Sequence, residues 1–207
     1  AWPDQLPVLK RFLTEQRLEI CPARSLIYTQ LPSGETLVRN YLYGREICER
    51  LFGFSGKTAT LSDIPGITPQ LPQITAKAGF TGLFLSHGCP PHTDRILYIA
   101  PDGTGQQAYA PIHYGRCRRL FDDAKDYAAM CANEEQIEAE LGGVEYPQLC
   151  QFGADLYIIT ETAVENFHRW NAEGHRPFLF TTPGKYFERE FPANPKQVSG
   201  ELPSLWP

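Results

Sequence analysis

No apolar run in this chain approaches the ~18 consecutive residues that a membrane-spanning helix needs, which argues against a membrane partner. The start of the chain carries no signal-peptide pattern either. Blocks of like charge are also missing: the formal net charge of −5 is spread along the 207 residues. Phosphate binding needs clustered Lys and Arg, so a nucleic-acid partner is not expected. The short basic run Arg116, Arg118, Arg119 reads as a solvated surface patch. Six cysteines are present without a C-x-x-C pair, which excludes a zinc ribbon or a thioredoxin-like site. Five histidines show no H-E-x-x-H or comparable metal spacing. No internal repeat is visible, so a solenoid is not expected.

What is present is an ordinary apolar and aromatic content, enough for one substantial core in a single α/β unit. Glycine and proline, 17 and 18 residues, suit many short strand-to-helix connections. Cys48 and Cys150 sit inside apolar runs, where a small buried thiol is wanted. With Cys21, Cys89, Cys117 and Cys131 also scattered, the pattern points to a reducing compartment, the cytoplasm. The chain starts at Ala1 rather than methionine and is expected to be part of a longer polypeptide.

Hydrophobic spacing predicts helices over 4–17, 33–53 (with Ser33 as N-cap and Leu37, Tyr41, Cys48 and Leu51 on one face), 68–78, 118–141, 160–172 and 183–190. Pro72 means that the third of these starts irregularly or late. Strands are expected at 18–21, 58–62, 82–86, 149–154 and 177–181. A hairpin of 95–100 and 107–111 flanks Pro101-Asp102-Gly103-Thr104. Strands and helices alternate almost throughout, which predicts a parallel sheet or barrel with one inserted hairpin.

Two acids end such strands: Asp63 after TATLS, and Asp155 after LCQFGA. By position alone each reads first as a cap for the following helix. Paired carboxylates around one bond are also the minimum equipment of a glycosidase, one attacking or activating water and the other protonating the leaving oxygen. His87 ends the strand GLFLS on the same expected edge and is a candidate substrate contact.

Three ordered segments carry a resemblance. LPSGETLVRNYLYGREICERLFG, DIPGITPQLPQI and TTPGKYFEREFPANPKQVSGEL resemble, in order and spacing, the N-terminal catalytic domain of glycoside hydrolase family 38, the retaining α-mannosidases. The resemblance covers nearly all of residues 1–207. It implies a (β/α)7-type barrel of parallel strands with an inserted β-hairpin, lacking its first strand in this chain. It also implies removal of terminal α-linked mannose through a covalent glycosyl-enzyme intermediate. In the family, the aspartate matched by Asp63 is both nucleophile and ligand of a catalytic zinc, and Asp155 falls at the place of the general acid and base. The family's His-x-Asp ligand pair would precede Ala1 and its last histidine ligand would follow Pro207. Asp63 is therefore the one zinc ligand expected here, and the remainder of a longer polypeptide is an expected partner.

The chain departs from the family pattern at Pro65, where an aromatic residue is usual, at Leu26 and Tyr28, where an acidic pair is common, and at Leu156-Tyr157 beyond Asp155. These departures support an alternative, a non-catalytic carbohydrate-binding or scaffold relative that has lost the zinc site. A second alternative is a polysaccharide deacetylase-like or amylase-like barrel enzyme with two carboxylates and another substrate.

Overall fold

A computed structural model describes residues 3–85, 95–110, 124–141, 147–151 and 159–202. The chain divides into two compact units, residues 1–113 with 181–207, and residues 114–180. Among the described residues no helix is long and apolar enough to cross a membrane.

In the first unit a 3-10 turn, Pro3–Gln5, leads into α1 (Leu6–Thr14), with a proline in its first turn where the missing N–H costs nothing. The helix stops three residues before the expected end. Gln16 turns to a positive φ of 54°, and the N–H groups of Arg17 and Leu18 both fold back onto the Phe12 carbonyl. The strand expected at 18–21 is irregular.

Helix α2 (Gly34–Phe52) begins and ends where its caps direct. The Ser33 hydroxyl accepts the Thr36 N–H at 3.3 Å, and Gly53 closes the last turn at φ 70°. Leu37, Tyr41 and Cys48 are buried on one face as expected; Leu51 is not, and remains 43% exposed in the final turn. Helix α3 is short (Leu71–Lys77), because Pro72 is tolerated only in the first turn and so sets a late start.

Five strands form one sheet: β1 (Thr58–Leu61), β2 (Gly82–Leu85), β3 (Arg95–Ile99), β4 (Gly105–Tyr109) and β5 (Lys196–Ser199), in the order β1-β2-β4-β3-β5. Pairs β1–β2 and β2–β4 are parallel, as the alternation of elements requires. The expected hairpin is present as β3 and β4, antiparallel and closed by Asp102, whose carboxylate accepts the Thr104 N–H at 3.0 Å.

Alternation along the strands sorts side chains to two faces. Ala59, Leu61, Leu83, Leu85, Ile96, Tyr98 and Ala108 meet Leu37 and Tyr41 of α2 and Leu71 and Ile74 of α3 in the main core. On this side Gln106 is buried, donating to the Phe80 carbonyl at 2.8 Å and lying 2.5 Å from the Thr75 hydroxyl. The opposite face holds Phe84 and Tyr109, stacked at 5.9 Å. Against them lies α7 (Pro183–Glu190), with Tyr186 5.4 Å from Tyr109 and Phe187 over Gly82.

The α/β class and inserted hairpin hold, but among the described residues the sheet is open and mostly parallel rather than a closed barrel. Two features account for this. β5 pairs parallel with β3, so these two strands run against the other three. The face that would line a barrel is instead filled by Tyr186 and Phe187. β5 itself was not expected from the sequence, because KQVS offers only Val198 as a half-buried apolar residue.

The second unit has its own core of Ala124, Met130, Ile137, Ala163, Phe167 and Trp170. The helix expected over 118–141 is broken at Asn133 into α4 (Tyr127–Ala132) and α5 (Glu134–Leu141), and residues 118–123 lie outside the described ones. Asp126 caps α4 by accepting the Ala128 N–H. Helix α6 (Glu161–Ala172) starts at the Thr160 cap as expected. The expected strand at 177–181 is irregular for a specific reason: the Asn171 side-chain amide bonds both the N–H and the C=O of Phe178, at 2.8 and 2.7 Å. A side chain thus takes the place of a neighbouring strand. Of the strand expected at 149–154, residues 149–151 are irregular and the rest lie outside the described residues.

A Cβ added to Gly82 would lie 2.8 Å from the Phe187 ring. Gly82→Ala is therefore expected to destabilise the fold by about 1–3 kcal/mol through overpacking. Urea unfolding of Gly82→Ala, and of the double variant with Phe187→Leu, checks this: the smaller partner should recover part of the loss.

Candidate active site at the Asp63 loop

Strand β1 is buried almost throughout, with Thr58, Ala59 and Leu61 at 1–2% exposure, as befits a strand covered on both faces. It ends at Leu61, level with Leu85 of β2 in the parallel register. Asp63 follows, exposed and at φ 56°. Aspartate is among the few non-glycine residues that tolerate this left-handed conformation. The turn takes the chain out of the sheet at the C-terminal edge of its parallel strands, where α/β folds collect functional groups.

The loop after Asp63 is held from three sides. Ile64, Pro65 and Ile67 are buried beneath it. Ile67 forms a two-bond antiparallel bridge with Leu202, its N–H donating at 2.8 Å and its C=O accepting at 3.1 Å. The Thr29 hydroxyl, in a side chain only 2% exposed, donates to the Gly66 carbonyl at 3.1 Å and accepts the Thr68 N–H at 3.0 Å. The fully buried Tyr98 places its hydroxyl 3.2 Å from the Thr68 carbonyl and 2.7 Å from that of Gly200. Gly66 is favoured here because its φ is 76°; an added Cβ would also fall 2.2 Å from Gln30 Oε1, so that side chain would have to move. Gln30 in turn donates to Glu201.

Of the three site residues expected from sequence, Asp63 is the one among the described residues; His87 and Asp155 lie outside them. No group of three or more His, Cys, Asp or Glu side chains that could hold a metal forms among the described residues. A catalytic zinc needs about three protein ligands, so the described residues do not by themselves fit that ion. Thr29, Tyr98 and the 200–202 segment escaped the sequence reading. Thr29 and Tyr98 act through one hydroxyl each and the 200–202 segment through backbone groups, all on partners at least 30 residues away, and no local pattern encodes that.

Cys21 stands near the same strand end but is no rival nucleophile. Burial pushes its thiol up to about 11, and the nearby Glu19 carboxylate adds to the effect. Burial likewise raises the Cys48 thiol. Among the described residues Cys21, Cys48, Cys131 and Cys150 are thiols.

Residues 2–98, which include β1, Asp63 and the loop, match the family model for the glycosyl hydrolases family 38 N-terminal domain. This segment, just under half of the chain, is similar to family 38. The fold agrees over a wider range. An α-mannosidase from Enterococcus faecalis V583 superposes with a TM-score of 0.76 at 20% identity, covering 97% of this chain and 24% of that one. A 4-alpha-glucanotransferase from Thermococcus litoralis gives a TM-score of 0.59 at 16% identity, covering 98% of this chain and 31% of that one. A GH57-type branching enzyme from Pyrococcus horikoshii gives 0.57 at 14% identity, covering 96% and 49%. The chain thus spans less than half the length of each of these structures. A comparison with curated protein sequences gives no match. The family 38 segment accounts for the LPSGE helix and the DIPGITPQ loop together.

With its pKa near 11, the Cys21 thiol of the folded chain should react with iodoacetamide at pH 8 about a hundredfold more slowly than an unperturbed thiol. Mass-spectrometric labelling rates from pH 7 to 11 check this. The folded-state rate should keep rising to the top of that range, and urea should abolish the difference.

Proposed function

We propose that this chain is part of a retaining glycoside hydrolase of the α-mannosidase type, acting on terminal α-linked mannose of an oligosaccharide. The observation that carries the reading is Asp63: a carboxylate at the C-terminal end of a parallel strand, on a loop fixed from three sides, inside the family 38 segment. In this reading the Asp63 carboxylate attacks the anomeric carbon while Asp155 gives a proton to the departing oxygen. A covalent glycosyl-enzyme ester results. Asp155, now a carboxylate, takes a proton from water, which displaces Asp63 and restores both groups. His87 contacts the sugar. The remainder of a longer polypeptide completes the catalytic domain around the open five-stranded sheet.

Zinc belongs to the proposal only through Asp63, as one ligand of a site whose other donors are outside the described residues. A divalent ion there would hold sugar hydroxyls and orient the ring. The scattered cysteine pattern of the sequence supports a cytoplasmic setting. The likeness to a glucanotransferase and a branching enzyme favours one second reading, an amylase-like enzyme acting on an α-glucan with the same pair of acids.

The test uses the longest natural polypeptide that contains this chain. It should hydrolyse an aryl α-mannoside, and a mechanism-based fluorinated mannoside should label Asp63. Asp63→Asn should lower turnover by on the order of a thousandfold. Its stability should stay within about 0.5 kcal/mol of the parent, since asparagine also accepts a left-handed φ. Full turnover by Asp63→Asn would falsify the nucleophile assignment. Activity on α-glucans alone would select the second reading. A protein inert to all these sugars and lacking stoichiometric zinc would be the non-catalytic, carbohydrate-binding relative.

A further inference from the structure

Around the Ile67 bridge, the backbone groups of residues 66–68 point to two edges, as in an antiparallel ladder. Leu202 satisfies one edge, through the N–H and C=O of Ile67. On the other edge, the Gly66 C=O and the Thr68 N–H are both satisfied by the single hydroxyl of Thr29, at 3.1 and 3.0 Å. A hydroxyl can donate and accept at once, so one side chain does here what a residue of a partner strand would do. Valine has the shape of threonine and would fill the same buried volume, but it would leave two backbone groups unpaired.

We infer that Thr29 is a positioning residue for Asp63. Only Ile64 and Pro65, both buried, separate the carboxylate from the anchored segment, and the proline ring removes one of the rotations between them. A left-handed φ of 56° is uncommon even for aspartate, and the contacts around the loop hold it there. Thr29 supplies two of the contacts that do so, without touching the reacting atoms. In the catalytic assignment, on which this inference rests, its role is to present the Asp63 carboxylate in one orientation before substrate arrives.

Thr29→Val and Thr29→Ser, made in the longest natural polypeptide, test this by two independent measurements. The first is hydrogen–deuterium exchange of the peptide covering residues 64–70. It should quicken about tenfold in Thr29→Val, the effect of unpairing a buried backbone group, and return to the parental rate in Thr29→Ser. The second is turnover of an aryl α-mannoside. In Thr29→Val, kcat should fall about tenfold with KM within about twofold, and Thr29→Ser should restore it. An unchanged kcat in Thr29→Val overturns the inference, as does a change confined to KM or a serine variant as impaired as the valine one.

If the parent itself hydrolyses none of the sugars named above, the hydrolytic reading fails. The positioning inference is then decided by exchange alone: parental exchange in Thr29→Val overturns it, and faster exchange restored by serine upholds it. Should Thr29→Val fail to fold, Thr29→Cys, close in size with only a weak donor and acceptor, replaces it in both measurements.

Discussion

The paired backbone of residues 66–68 joins parts of the first unit that are distant in sequence. The loop before α2 contributes Thr29, β3 contributes Tyr98, and the segment after β5 contributes Gly200 and Leu202. Each of these bonds is worth only about 0.5–1.5 kcal/mol net, yet leaving one buried member unpaired costs about 1–3 kcal/mol. That asymmetry makes the arrangement close to all-or-none. The Asp63 turn is thus tied to the loop before α2, to β3 and to the C-terminal segment, and the geometry of the acid depends on parts of the unit far apart in sequence.

The sheet supplies the platform. Its parallel strands end together at the Asp63 edge, and both faces are covered, one by α2 and α3 and the other by α7. Covering both faces is what lets β1 be apolar and nearly inaccessible along its length, and a strand so enclosed holds its end still. The aromatic group of Phe84, Tyr109, Tyr186 and Phe187 fills the face that a barrel would turn inward. Gly82 is the concession that packing requires, since no side chain fits beneath the Phe187 ring. The same platform recurs in an α-mannosidase of similar fold, where it makes up 24% of the chain.

Elements with local signals were legible. Ser33, Thr160 and Thr182 each cap a helix through their own hydroxyl, and the helices start where those residues stand. The Pro-Asp-Gly-Thr turn likewise announced its hairpin through Asp102, which bonds a backbone group two residues away. Elements that depend on distant partners were not legible. KQVS becomes β5 because β3 offers it an edge, while PFLFT, richer in strand formers, stays irregular because Asn171 has taken the Phe178 backbone. The long helix expected before residue 141 breaks at Asn133, whose carbonyl still accepts from Gln136 and Ile137 although its own backbone has left the helical region.

For the site, the sequence by itself determined which acid stands at the end of β1, that a proline and a glycine follow it, and that the surrounding segment resembles family 38. These are matters of residue type and order within a dozen positions. Only the tertiary structure decided that Asp63 adopts a left-handed turn, that its loop is anchored by Thr29, Tyr98 and Leu202, and that the sheet beneath is open among the described strands. The physical reason is the same in each case. Hydrogen-bond partners and packing neighbours that lie tens of residues apart in the chain are chosen by the fold, and no local stretch of sequence states them.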